Sequence, residues 1–304
     1  MRPLLLILLL PIVARAHDSP EHKVEALSFE IARSGKTPAL LMERAFEHRA
    51  LGQLADAAAD FEAAHRLDSK LIVAIKELSL VQLAQGKPDL ALRTINSAPT
   101  QDPDFLMARA EIQTVRKDYR AALRDCDAAF HRTEDNVEWY LLRAEIQRRL
   151  GLFGDCLKDL REGFSKTGSA VLQEEIIEAM IDAGEHKAAL KQIEREFADS
   201  RWRSSWLLRR ARAQLALGQT KAGRRDLRSA IDELNQRIVP EAPEVTLIID
   251  RGLAHALLGD QSNAADDLRR ARALSPDAAS MLWRLELVTG DRTPDLSARF
   301  EDRK

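Results

Sequence analysis

Glycines set in helical, alanine-rich stretches return at nearly fixed intervals along this chain of 304 residues. They are Gly52, Gly86, Gly151, Gly184, Gly218 and Gly259, and with Lys117 filling the one gap the steps are 34, 31, 34, 33, 34 and 41 residues. Each step holds two amphipathic stretches of helical period, so the recurring unit is a pair of helices joined by a tight turn. Such a unit cannot bury its apolar face alone and must stack on its neighbours. The composition agrees. Hydrophobic residues make up 45% and aromatics only 5%, in a chain rich in Ala, Leu, Arg and Glu, and that mix favours helices. Val and Ile are too scattered for a sheet, and no long alternation of period two appears.

The residues around each turn keep a frame. In the first copy Ala45 lies seven before Gly52, and Ala57, Phe61 and Ala64 lie five, nine and twelve after it. The copy at Gly259 has Gly252, Ala264, Leu268, Ala271 and then Pro276, and the copy at Gly86 has Ser79, Ala91, Ile95, Ala98 and Pro103. Small residues are needed where two helix backbones approach, and large ones fill the wedge between hairpins. This frame resembles the tetratricopeptide repeat. The resemblance implies an all-α, right-handed superhelical solenoid of about seven helical hairpins over residues 38–275. A leading helix or segment over 17–37 would precede it, and a capping helix and tail over 276–304 would follow.

The departures are informative. The third copy has Lys117 in the turn, although Ala110, Tyr119, Ala122 and Ala129 hold the frame. The fifth is loosest, with Ile177 where a small residue is expected and Ile193 in the wedge. The long last step contains "NQRIVPEAPEV", where Pro240 and Pro243 end a lengthened helix. After Pro276 an eighth first helix begins, but Trp283 stands seven before Gly290, where a bulky ring would block a full second helix. That marks a cap.

The N-terminus reads as a separate object. A basic start at Arg2, an apolar run from Leu4 to Val13 and the small-x-small triplet Ala14-Arg15-Ala16 have the form of a cleavable secretory signal over residues 1–16. Ten apolar residues are too short to cross roughly 30 Å of hydrocarbon as a helix. The expectation is an exported protein, periplasmic or secreted, and the lack of an Asn-x-Ser/Thr sequon favours a bacterial envelope. Cleavage removes Arg2 and Arg15, leaving 44 Lys and Arg against 48 acids. That balance argues against a nucleic-acid binder.

Little in the chain reads as chemistry. Nucleophile-elbow, phosphate-loop and zinc-protease motifs are absent from the sequence, so no enzyme and no cofactor is expected. Cys126 and Cys156 fall on second helices of adjacent copies. Two separate buried thiols are favoured over a bridge, which needs Cα atoms within about 7 Å. His48 and His255 share a repeat position, which points to packing, and the one local histidine pair is His17 and His22, a weak copper-chelating arrangement. In the first copy Asp56, Asp60, Glu62 and His65 read as the solvent face of a second helix.

In the repeat family the first helix of each hairpin lines the inner face, where ligands usually lie. The resemblance places Phe46, Arg49, Lys76, Leu80, Asp104, Glu111, Glu138, Glu145, Arg148, Glu174, Glu178, Arg209 and Arg212 there. The implied surface starts apolar, turns acidic and becomes basic, and a protein or peptide partner with a basic stretch would suit its middle. Charge runs in blocks: residues 170–200 hold eight acids and three Lys or Arg, and residues 201–228 hold nine Lys or Arg and one Asp. Such blocks either pair with each other or face a ligand, and the sequence leaves both open. A second candidate is "RWRSSWLLRRAR", where Arg201, Trp202, Arg203 and Arg210 would bind an anion. Trp206 falls in the core register, while Trp202 precedes it and is expected to be exposed. The leading expectation is a non-catalytic scaffold for a protein partner. The alternative is a carrier or sensor of a non-protein ligand, an anionic glycan held by the Arg/Trp patch or a metal held by the N-terminal histidines.

Overall fold

The structure is a computed structural model that describes residues 19–98, 100–131, 136–275, 285 and 289. Among these residues it has fifteen helices and no strand. The chain divides into two compact units, Met1–Ile112 and Gln113–Lys304. The stretch expected to be a secretory signal, His17, Trp283 and most of the expected cap lie outside the described residues. No helix among the described residues is long and apolar enough to cross a membrane.

The first unit holds a leading helix α1 (Pro20–Ser34) and the hairpins α2 (Pro38–Ala50) with α3 (Leu54–Leu67) and α4 (Val73–Ala84) with α5 (Pro88–Asn96). The first helix of a third hairpin, α6 (Pro103–Val115), runs through the boundary. The second unit begins with α7 (Tyr119–Phe130). It continues with α8 (Val137–Arg149) and α9 (Phe153–Thr167), α10 (Ala170–Asp182) and α11 (His186–Asp199), α12 (Ser204–Ala216) and α13 (Thr220–Arg237), and α14 (Val245–Leu258) and α15 (Gln261–Leu274). Starts are set by local chemistry. Pro occupies the first turn of α1, α2 and α5, where its missing N–H costs nothing. Thr37, Asp118, Asn136 and Asp260 cap α2, α7, α8 and α15 through their side-chain oxygens, each satisfying an orphan backbone N–H.

Every turn glycine of the frame has a positive φ, from +71° at Gly52 to +89° at Gly259, and Lys117 adopts the same conformation at +65°. The turn geometry is therefore a property of the hairpin, and Lys117 takes it against its own steric preference. The frame residues behave as their sizes require: Ala45, Ala57, Phe61 and Ala64 are all fully buried. The lengthened helix before Pro240 is α13, of 18 residues. Beyond the seventh hairpin, Leu285 is fully buried and packs against Gly252, where an added Cβ would sit 2.8 Å from its Cδ2.

One expectation fails. Asp60 is not on the solvent face; it is 6% exposed and accepts two hydrogen bonds of 2.7 Å from the Arg44 guanidinium. Arg44 stands eight before the turn glycine and Asp60 eight after it. The same clip joins Arg210 to Asp226 at 2.6 and 3.0 Å and Arg251 to Asp267 at 3.0 and 2.6 Å. In α8–α9, Arg143 reaches Asp159 at 3.2 Å and Asp127 of α7 at 2.8 Å. The arginine also reaches back sixteen residues, from Arg44 to Ser28 and from Arg251 to Asn235. It therefore ties its own hairpin and the preceding second helix together, and α1 occupies the place of such a second helix. Charged side chains recurring on helices usually mean solvated faces; here they bridge three helices.

Candidate functional site

The charged residues of the first helices form rows, and within each unit the rows are cross-paired. In the first unit Arg49 of α2 donates to Glu77 of α4 at 2.5 Å, and Lys76 lies 3.4 Å from Glu77 and 3.9 Å from Asp104 of α6. Phe46 is 37% exposed beside this row, edge-on to Phe61 at 5.2 Å, with the Arg49 guanidinium 5.1 Å from its ring centroid. Leu80 is half-buried, and Glu111 is exposed.

The second unit has a longer network. Arg148 of α8 pairs with Glu175 and Asp182 of α10 at 2.6 and 3.6 Å. From the other side, Arg212 of α12 holds Glu178 at 2.5 Å and Asp182 at 2.7 Å, while Arg209 reaches Glu178 at 2.8 Å and Glu174 at 3.7 Å. Arg149 donates to Glu145 at 3.2 Å and to the Tyr119 hydroxyl at 3.3 Å. Four guanidinium groups thus face five carboxylates. Glu178 is only 7% exposed, and burial of this kind is tolerable because two arginines flank it. Burial also raises the Glu145 carboxyl above its ordinary range, with Arg149 and Arg148 pulling the other way.

The two charge blocks therefore meet within this unit: Glu174, Glu178 and Asp182 belong to the acidic block, and Arg209 and Arg212 to the basic one. Sequence spacing placed these residues on first helices and left their pairing open. The row keeps exposed members, Glu138 and Glu174. Met42, Leu208, Ile249 and Leu253, also on first helices, are buried in the helix packing.

The Arg/Trp stretch splits. Trp206 is buried at 8% exposure, under the Arg209 guanidinium at 4.8 Å, while Trp202 is 51% exposed. Arg210 belongs to the clip with Asp226 and also lies 4.4 Å from the Phe197 ring centroid. Arg201 and Arg203 remain exposed beside Trp202. The neighbours that sequence reasoning missed are Phe197, Glu233 and Arg237, which come from helices on either side of α12.

Three histidines and both cysteines have structural employment. His48 and His255, four before their turns, bond the residue just after the turn glycine: Gln53 at 2.6 Å and Asp260 at 3.3 Å. His22 bonds Ser19 at 3.3 Å. Cys126 and Cys156 are separate buried thiols, and burial pushes their pKa values up to about 12 and about 11. Two shallow notches of about 380 and 420 Å³ lie over the Arg143 and Arg251 clips, and their central guanidinium groups are already engaged.

No protein-family model matches the sequence, and no curated protein matches it. Solved structures do share its fold. A tetratricopeptide repeat protein from Parabacteroides merdae superposes with a TM-score of 0.62 at 17% identity, over 83% of this chain and 98% of its own. The C-terminal part of a repeat-containing protein from Cytophaga hutchinsonii gives 0.54 at 15% identity, over 80% and 99%. A chain of the APC/C Cut9–Hcn1 hetero-tetramer gives 0.53 at 13% identity, over 87% of this chain and 52% of that one. The fold is that of a tetratricopeptide repeat solenoid.

Proposed function

We propose that this chain is an exported, non-catalytic scaffold that binds a partner protein or peptide on the faces of its first helices. The observation that carries the reading is the paired row of Arg148, Glu175, Glu178, Asp182, Arg209 and Arg212. Buried ion pairs contribute little net stability, because desolvation offsets most of their attraction. Six charged side chains in one row are therefore a poor way to hold helices together. They are a good way to fix hydrogen-bonding groups in place before a partner arrives, which lowers the ordering cost of association. The same fold occurs in a hetero-tetrameric assembly, in keeping with recognition as its work. A basic segment of the partner would meet the row chiefly at Glu174, whose side chain is 59% exposed, because the deeper carboxylates already hold arginines. Export rests on the leader-like residues 1–16 and places the partner in the periplasm or outside the cell.

A photo-crosslinking residue at position 174 tests this in cells of the source organism. The expected result is one discrete partner, lost when Glu138→Lys is added to the crosslinker-bearing chain while its thermal unfolding is unchanged. Equal capture from the outward positions 158 and 162 would overturn the reading.

A further inference from the structure

The corner between α11 and α12 carries a second cluster, separate from the first-helix row. Trp202 is half exposed there, with the Arg201 guanidinium 5.2 Å and the Arg237 guanidinium 4.9 Å from its ring centroid. The Arg203 guanidinium lies 5.0 Å from the Phe197 ring centroid. Among the described side chains neither Arg201 nor Arg203 has an ion-pair partner.

The corner is held rigid from α13. Glu233 accepts hydrogen bonds from the backbone N–H of Arg203 and of Ser204, both at 2.9 Å, and lies 3.7 Å from Arg237. Arg237 in turn donates to the Ser204 hydroxyl at 2.9 Å. Glu233 thereby supplies the N-terminal cap that Arg203 lacks as a side chain. Among the described side chains three guanidinium groups are left with one carboxylate, and that carboxylate is committed to the helix end.

These facts narrow the ligand. A guanidinium stacked on an aromatic ring keeps its N–H edge free in a fixed plane, the geometry that grips oxyanions two bonds at a time. A phosphate would ordinarily seek the backbone N–H groups of a helix N-terminus, but at α12 Glu233 has taken the first of them, at Ser204, and that of Arg203 before it, and sets a negative charge there. A sugar ring would need a face of Trp202, and two guanidinium groups already lie over it. What remains on offer is a set of guanidinium groups positioned around a half-exposed indole, which matches side-chain carboxylates spaced along a chain.

The geometry points to a docking site for an acidic peptide segment of a protein partner, gripped by Arg201, Arg203 and Arg237 around Trp202. This assignment differs from the glycan reading of the same stretch. It uses Arg237, excludes Arg210, and stands independently of the first-helix row.

The test is fluorescence anisotropy of the full chain with a fluorescein-labelled decapeptide of alternating Asp and Glu. Saturable binding is expected, weakened about tenfold or more in the Arg201→Gln/Arg203→Gln variant, as for the loss of charge-assisted hydrogen bonds. The Arg225→Gln/Arg228→Gln variant, altered at exposed positions of the same basic block, should bind as the unmodified chain does. Both variants should unfold at the unmodified temperature. Absence of binding, equal weakening by both variants, or displacement of the peptide by lower concentrations of polyphosphate or of a uronic-acid oligosaccharide would overturn the assignment.

Discussion

Arg44 and Asp60 meet through two parallel hydrogen bonds of 2.7 Å, eight residues either side of a turn glycine. The carboxylate side chain is 9% exposed and the guanidinium 20%. The bond to Asp60 raises the Arg44 pKa, so the guanidinium stays charged at every ordinary pH. Asp60→Ala strands the cation. The expected loss is about 2 kcal/mol, below the 3–5 kcal/mol typical of a fully buried pair because Arg44 keeps some contact with water. The double variant Arg44→Met/Asp60→Leu should recover most of it, as read from urea midpoints. A single variant that unfolds like the unmodified chain would show the clip to be ornamental.

Lys117 carries a left-handed conformation that six glycines adopt without strain. Lys117→Gly removes about 1–2 kcal/mol of steric cost, and part of that gain is returned to the more flexible unfolded chain, about 0.4–1 kcal/mol. A net stabilisation of up to about 1.5 kcal/mol is expected from these two contributions, visible as a rise in Tm. Gly52→Ala should move Tm the other way.

Gly163 stands where most hairpins have alanine, because Tyr140 lies across it. A Cβ there would be 2.7 Å from Tyr140 Cγ. Gly163→Ala should cost about 2 kcal/mol through overpacking. In other hairpins the position of Tyr140 is held by Leu41 and Leu207, so Tyr140→Leu should rescue Gly163→Ala. Denaturant unfolding of the two variants checks both statements.

The thiols of Cys126 and Cys156, raised by burial to about 12 and about 11, stay protonated under native conditions. Neither should react with iodoacetamide at pH 8 within the time that a denatured sample is fully alkylated. Intact mass measured before and after urea reads the difference.

Burial raises the Glu145 carboxyl in the folded state. The folded chain therefore binds this proton more tightly than the unfolded chain does. The resulting stabilisation is full below the ordinary carboxylate range and is lost as pH rises through the raised value. Glu145→Gln should abolish that part of the pH dependence, flattening the stability curve above about pH 4, near the ordinary Glu pKa.

Much of the fold was legible because size and spacing carry it. Small residues seven before and five and twelve after most turns, with a large one nine after, dictate how two helices cross, and Ala45, Ala57, Phe61 and Ala64 all lie where that rule puts them. The clip was missed, although Arg and Asp recur at −8 and +8 in five of the seven copies. A charged residue on a helix reads as solvated unless one knows which neighbour stands within reach. The row of the candidate site was legible only as a placement, since the helical period puts Arg148, Glu178 and Arg212 on first helices. Their pairing was not, because it depends on the spacing between helices of successive hairpins. Glu233 was out of reach for the same reason: it caps a helix about thirty residues before it in the chain.

Clip residues come and go together. The second hairpin has Leu78 and Thr94 at the two stations, and the fifth has Ile176 and Gln192. Arg109 and Asp125 both persist in the third. Seven hairpins within one molecule make the chain a small alignment of itself, and its internal columns show the two charges covarying. An array of this kind drifts by exchanging matched sets, since a lone survivor of either sign would be buried without its counter-charge. The repeats are in that sense inherited as coupled characters, and a hairpin grafted from one place to another should bring both members of its clip.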